Sequence, residues 1–194
     1  MGALDTLINR KFVRAYDLSM KSNADAIADF NEQAALDGWP IRADSGLEFE
    51  AAELIEALKV WRVAASGRAI PARSDVTPLA MKTFLPKVAV VDILREPSHI
   101  RFRARLSGTA LDRTYGIKNG AIFDEILPEP SRGRWQKTFE LPLLANGPVR
   151  TWGRVGFNDM TFLSAETFLA PMGTSHELPD AILAVVHVSQ FRGH

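Results

Sequence analysis

Five arginines occupy alternating positions that a β-strand would set in rows. Arg101, Arg103 and Arg105 alternate with Phe102 and Ala104, while Arg150 and Arg154 flank Trp152. A planar guanidinium bonds two oxygens at once, so such rows suit binding of an anion or carboxylate. The same pattern also fits a solvated or helix-covered face whose charge Glu166 and Asp92 neutralise across strands. Sequence leaves both readings open. Of the four histidines, His99 lies in a turn, His176 in a loop and His194 at the terminus. His187 is embedded in the apolar run Ile182–Val188 and points with Leu183 and Val185. It is either a satisfied core or interface histidine or one that contacts a ligand or senses pH. No second His, Asp or Glu stands at ligand spacing from it, so no metal site is expected.

Asp124 and Glu125 are adjacent in a predicted helix, and adjacent helical residues do not face each other, which disfavours paired acid–base work. The chain lacks a Gly-x-Ser-x-Gly elbow, a P-loop, a dinucleotide fingerprint and a His-Glu-x-x-His pair. An enzyme is therefore not expected. A cavity enzyme using His187 or a carboxylate stays open, since such a site needs no linear motif.

The chain has 194 residues, enough for one domain with a well-buried core. Apolar residues make up 46% and charged residues 24%, the balance of a folded domain rather than a disordered tail. Lys plus Arg and Asp plus Glu both total 23, and a neutral chain lacks the basic surface that nucleic acid requires. There is no cysteine, which excludes disulfides, thiolate nucleophiles, Cys-ligated zinc and thiol-linked chromophores. That usage fits a cytoplasmic location. No apolar run approaches the roughly 20 residues that span a bilayer.

These side chains need elements to hold them. Residues 1–46 read as an N-terminal helical extension. Leu4, Leu7, Ile8, Phe12 and Tyr16 form a stripe in a basic segment, suited to docking on the domain, to a homodimer helix, or to a membrane surface. A second helix is predicted from Ser22 or Asn23 to Gly38, and Trp39-Pro40 then begins a turn. A third helix is predicted from the capping-box pair Ser45 and Glu48 through Ala65, with Gly67 as its stop. Thr77 and Pro78 suit the start of a short helix.

From Lys87 the period changes to two. Strands are predicted over Lys87–Leu94 and Ile100–Leu106, joined by a hairpin. Helices follow over Gly108–Gly116, Ala121–Leu127 and Ser131–Leu141, the last kinked or ended by Pro142. Strands over Val149–Phe157, Thr161–Met172 and Ala181–Ser189 complete the chain. The order implies an α+β domain over residues 47–194. It has a five-stranded antiparallel sheet with a helical crossover on one face, and the N-terminal helices or a second subunit on the other.

Several short motifs, in order, resemble those of a group of bacterial stand-alone PAS-like proteins. They are Trp61-Arg62, Gly67, Pro71-Ala72-Arg73, Arg105-Leu106-Ser107-Gly108-Thr109, Tyr115-Gly116 and Gly120. A late strand with Glu166 and Ala170-Pro171-Met172 matches that group's Glu and Leu-Pro-Leu-like end, departing from the latter at two of three positions. The resemblance covers roughly residues 50–189 and implies strand order 2-1-5-4-3. It also implies a sensory or regulatory module.

In that fold, Phe102, Tyr115, Phe123, Trp135, Phe139, Phe157 and Phe168 would lie between sheet and helices, as packing alone or as the lining of a ligand cavity. Thr109 and Tyr115 are the polar groups expected to reach it, with His187 a further candidate. The flavin adduct known in such folds needs a cysteine, which is lacking. Haem there usually needs a histidine from the helices, and Gly108–Leu144 contains none. A noncovalent apolar or amphipathic ligand remains, with output through a separate signalling partner. The alternative is a ligand-free dimerisation or interaction scaffold.

Overall fold

The computed structural model describes residues 22–155 and 163–190. Its first helix, α1 (Asn23–Leu36), opens with a capping box. The Ser22 hydroxyl accepts from Asp25 N at 3.2 Å, and the Asp25 carboxylate accepts from Ser22 N at 3.1 Å. Ala26, Ile27, Phe30 and Ala34 recur at helical spacing and form its buried side. The amphipathic stripe from Leu4 to Tyr16 lies outside the described residues.

A strand lies where the sequence pattern predicts only a turn after Trp39-Pro40. β1 (Ile41–Asp44) is four residues long and pairs antiparallel with β4 (Val149–Arg154), more than 100 positions later. Asn31 of α1 pins it: its side-chain nitrogen donates to Ala43 O at 2.9 Å, and its side-chain oxygen accepts from Ala43 N at 2.9 Å.

The long helix α2 runs Ala52–Ala65, later than Ser45 and Glu48 implied. Leu47 has φ 58°, which breaks helical geometry between the two expected capping residues. The start is capped from elsewhere. The Glu166 carboxylate accepts from Glu50 N (3.1 and 3.2 Å) and from Ala51 N at 3.1 Å. A carboxylate bonded to the free N–H groups at a helix start is favoured by both hydrogen bonding and the helix dipole. α2 stops as expected, with Ser66 at φ 50° and Gly67 at φ 80°. Thr77 does accept from Ala80 N at 3.3 Å, but the chain there forms successive turns rather than a helix.

β2 (Val88–Arg95) and β3 (Ile100–Ser107) form the expected hairpin, with a register shift between Val90 and Val91. The crossover contains α3 (Thr109–Tyr115), α4 (Phe123–Ile126) and α5 (Ser131–Leu144). α5 continues two residues past Pro142, so of the two expected outcomes, a kink or a stop, the ring does not produce the stop. β4 leads to β5 (Leu163–Met172) and β6 (Ala181–Gln190).

The six strands order as β1-β4-β5-β6-β2-β3, with all adjacent pairs antiparallel. The predicted five strands carry the predicted 2-1-5-4-3 order, and β1 adds a sixth at the β4 edge. The sheet separates two cores. One packs Val91, Phe102, Phe139, Leu169 and Ile182 beneath the crossover and α1. The other packs Leu54, Leu58, Trp61, Phe168 and Leu183 beneath α2. So α2, rather than the earlier helices, covers the second face.

Candidate functional site

A cleft of about 140 Å³ lies between the crossover and the strands. Its floor is cut from small side chains: Ala89 and Ala104 on the hairpin, Ala165 on β5 and Ala184 on β6, with Thr151 and Thr167 among them. Short side chains at facing positions leave space that larger residues would close. The roof is aromatic. Trp135 stands edge-on to Tyr115 at 5.5 Å between ring centres and to Phe139 at 5.7 Å. Phe123 lies 5.3 Å from Trp135 and 5.0 Å from Phe139. These are the spacings at which ring quadrupoles attract. α5 supplies Trp135 and Phe139 one turn apart, so one helix face sets half of the roof.

Two guanidiniums border this cleft, Arg134 on α5 and Arg154 at the end of β4. No Asp or Glu is among the described residues that line it. Burial pushes the Arg134 guanidinium below its ordinary range, partly offset by nearby Tyr115. Burial likewise pushes the Tyr115 phenol up to about 12, against the pull of Arg134, so the phenol stays protonated and able to donate. Thr138 also borders the cleft, its hydroxyl donating to Arg134 O at 2.8 Å. An apolar pocket with a few convergent polar groups is the usual form of a small-molecule site.

Of the residues proposed for a cavity, Tyr115, Phe123, Trp135 and Phe139 line this cleft. Phe102 faces the same side and packs on Phe139 at 5.4 Å, but lies within the core rather than on the cleft wall. Thr109 is exposed at the start of α3 and does not line the cleft. Phe157 lies outside the described residues. Phe168 is fully buried on the opposite face, edge-on to Phe49 at 5.8 Å. His187 also faces away from the cleft, toward α2, where its Nδ1 donates to Glu53 Oε1 at 2.6 Å. The alternation of β5 and β6 correctly groups Phe168 with Val185, and His187 with Leu183 and Val185. The side they share is the one under α2, not the one under the crossover. The carboxylate near His187 is therefore across the sheet from the cleft.

The arginine rows are resolved into separate ionic groups. Asp92, 4% exposed, accepts from Arg73 Nη1 at 2.9 Å, from Arg103 Nη2 at 2.8 Å and from Arg105 Nη1 at 3.2 Å. Burial raises the Asp92 carboxyl, but the three guanidiniums outweigh it and hold the group below its usual range. Arg73 bridges onward to Asp180 Oδ1 at 2.6 Å and to Asp180 O at 2.6 Å. It is the arginine of the Pro71-Ala72-Arg73 motif. Arg150 bonds Glu166 at 2.7 Å and Asp44 at 3.3 Å, with its guanidinium 4.7 Å from the Trp152 ring centre. Arg101 bonds both Asp124 oxygens, at 2.8 and 2.9 Å, and Glu125 at 2.6 Å. The adjacent carboxylates thus share one cation on β3. Arg101, Arg103, Arg105 and Arg150 each bond a carboxylate; Arg154 also borders the cleft.

Arg134 was missed by sequence reasoning. Its signal was the Arg134-Trp135 pair on a helix whose other cleft residues, Trp135 and Phe139, were already singled out. Lys87 and Glu53 were missed as well. Glu53 accepts from Lys87 Nζ and from His187, and although burial pushes its carboxyl up, these two bonds bring it down to about 2.

A family model described as PAS domain matches residues 49–187. No curated protein and no solved structure matches the chain. Among the described residues, no helix is long and apolar enough to cross a membrane, and no cluster of three or more metal-ligating side chains occurs.

Proposed function

The chain belongs to the PAS domain family, a family of sensory and regulatory modules, and on that premise we propose that it binds a small apolar or amphipathic molecule in the cleft beneath the crossover. The cleft itself carries this reading: a space of about 140 Å³ roofed by Tyr115, Phe123, Trp135 and Phe139. The occupied state is read by a separate partner protein. What supports that output is the alternation of β5. Ala165, Thr167 and Leu169 border the cleft, while Glu166 and Phe168 between them meet the N-terminal side of α2 and its core. One strand therefore separates a ligand from the cap of α2. A ligand that moves β5 alters the stability of that helix start, provided it binds the two arrangements with different affinity.

Native mass spectrometry of freshly purified protein tests the reading. A co-purifying small mass, lost on Ala184→Trp, is the expected result. A mass equal to that of the bare chain, together with no thermal shift across a library of small apolar compounds, would falsify it. The second reading, a ligand-free dimerisation scaffold, is favoured by Val63 of α2, an apolar side chain left 78% exposed. A concentration-dependent dimer that Val63→Asp dissociates, in protein that binds no small molecule, would favour that reading instead.

A further inference from the structure

We propose that the cleft takes an unbranched alkyl chain of medium length, laid diagonally across the sheet. This rests on the ligand-binding reading above and specifies the shape of the guest. The pairing registers give the direction. Ile41 of β1 lies opposite Gly153, and Gly153 opposite Ala165 of β5. Two residues along the strands, Thr151 lies opposite Thr167, and Thr167 opposite Val186 of β6. Two residues further, Leu169 lies opposite Ala184, Ala184 opposite Ala89 of β2, and Ala89 opposite Ser107 of β3. All of these residues border the cleft. Each successive row starts one strand nearer to β3, so the floor steps diagonally from one edge of the sheet to the other.

That path is long for its volume. Strands lie about 4.8 Å apart and rise about 3.3 Å per residue, so the floor from Ile41 to Ser107 extends on the order of 20 Å. A compact apolar cavity of about 150 Å³ holds benzene, and the cleft has about 140 Å³ along the whole of its path. The same space drawn out over several strands is narrow throughout, which suits a single file of methylenes and not a compact body. The roof follows the path: Leu111 comes from α3, Phe123 from α4, and Trp135 and Phe139 from α5. A longer side chain at Ala89, Ala165 or Ala184 would interrupt the path at one point rather than shrink a single chamber. A chain gains apolar contact with each methylene laid against this lining, whereas a branch must push aside walls packed at interior density.

The test uses three isomers of one composition: 1-octanol, 2-ethyl-1-hexanol and 2,4,4-trimethyl-1-pentanol, titrated into the full chain at pH 7 and followed by amide chemical shifts and tryptophan fluorescence. The unbranched isomer is expected to bind about tenfold more tightly than the trimethyl isomer, with the ethyl isomer between them. Along the series from 1-butanol to 1-decanol, affinity is expected to rise about fourfold per methylene and to level off at about eight carbons. Ala89→Met, at the hairpin end of the path, is expected to leave 1-butanol binding unchanged and to bring that levelling-off to a shorter chain. Isomers that bind with equal affinity, or a trimethyl isomer that binds more tightly, would overturn the chain assignment while leaving the ligand-binding reading intact. A levelling-off that stays at the same length in folded Ala89→Met would also overturn it. No binding by any of these alcohols at millimolar concentration overturns both. The isomer comparison needs no variant, so a variant that fails to fold leaves the test decisive.

Discussion

Beneath α2, Phe168, Ala170, Leu183 and Val185 are fully buried and the layer around them is tied down by bonded charges. Glu166 caps the helix, Glu53 bridges Lys87 and His187, and Arg73 clamps Asp92 to Asp180. Beneath the crossover, the same strands present Ala89, Ala104, Ala165 and Ala184 to a roof of aromatic rings, and space is left between them. The strands alternate, so consecutive residues serve the two layers in turn. Rigidity on one side and room on the other are thus properties of odd and even positions within single strands. A protein that must hold its shape while admitting a guest can divide the two tasks between the faces of one sheet.

Breaking the ionic side has the largest expected effect. Asp92→Ala leaves Arg73 and its two neighbours without their shared carboxylate, and loss of one partner from a buried ionic group costs about 3–5 kcal/mol. Urea unfolding is expected to show that loss. Because Arg103 and Arg105 are 43% and 58% exposed and regain water, the result should fall at the low end. A cost below about 1 kcal/mol would show that this group does not tie the layer.

A matched pair of overpacking variants sharpens the contrast. Ala170→Leu, under α2, is expected to destabilise by about 3 kcal/mol, since Ala170 is fully buried within that core. Ala184→Leu, on the cleft wall, enters existing space and is expected to cost less than about 1 kcal/mol while abolishing ligand binding. Equal costs at the two sites would mean that the two layers are packed alike.

A third, smaller effect is the pH dependence of Glu53. Its carboxyl is held at about 2, below an ordinary 4.5, so the bound carboxylate stabilises the fold fully above about pH 4.5. That contribution is lost as pH falls from about 4.5 toward 2. Allowing for the partial exposure of Lys87, the stability gap between the native chain and Glu53→Gln is expected to shrink by about 2 kcal/mol between pH 7 and pH 2.5. A gap that does not change with pH would place the bridge outside the stabilising layer.

How much of this was legible depends on the reach of each determinant. Ser22 caps α1 through a residue three positions away, and Ile100 to Ala104 alternate within one strand, so both were readable locally. β1 was not: its four residues carry little pattern of their own and gain hydrogen bonds only from β4 and Asn31. The start of α2 was misread because its cap comes from Glu166, on the fifth strand. The aromatic residues of α3, α4 and α5 line the cleft because the crossover turns its apolar side to the sheet. Phe168 and His187 were misplaced for a different reason. Alternation tells which residues share a side but does not say which layer will cover that side, and that depends on where α2 comes to rest.

The reliance of α2 on Glu166 has a consequence for how the chain is made. The carboxylate that holds the first turn of α2 lies 115 residues further along the chain than Ala51, so it is translated well after the helix. Until then the amides of Glu50 and Ala51 can be satisfied only by water, and a helix of 14 residues is marginal by itself. A nascent polypeptide cut short before β5 leaves that helix frayed, so its consolidation belongs to the last stage of biosynthesis.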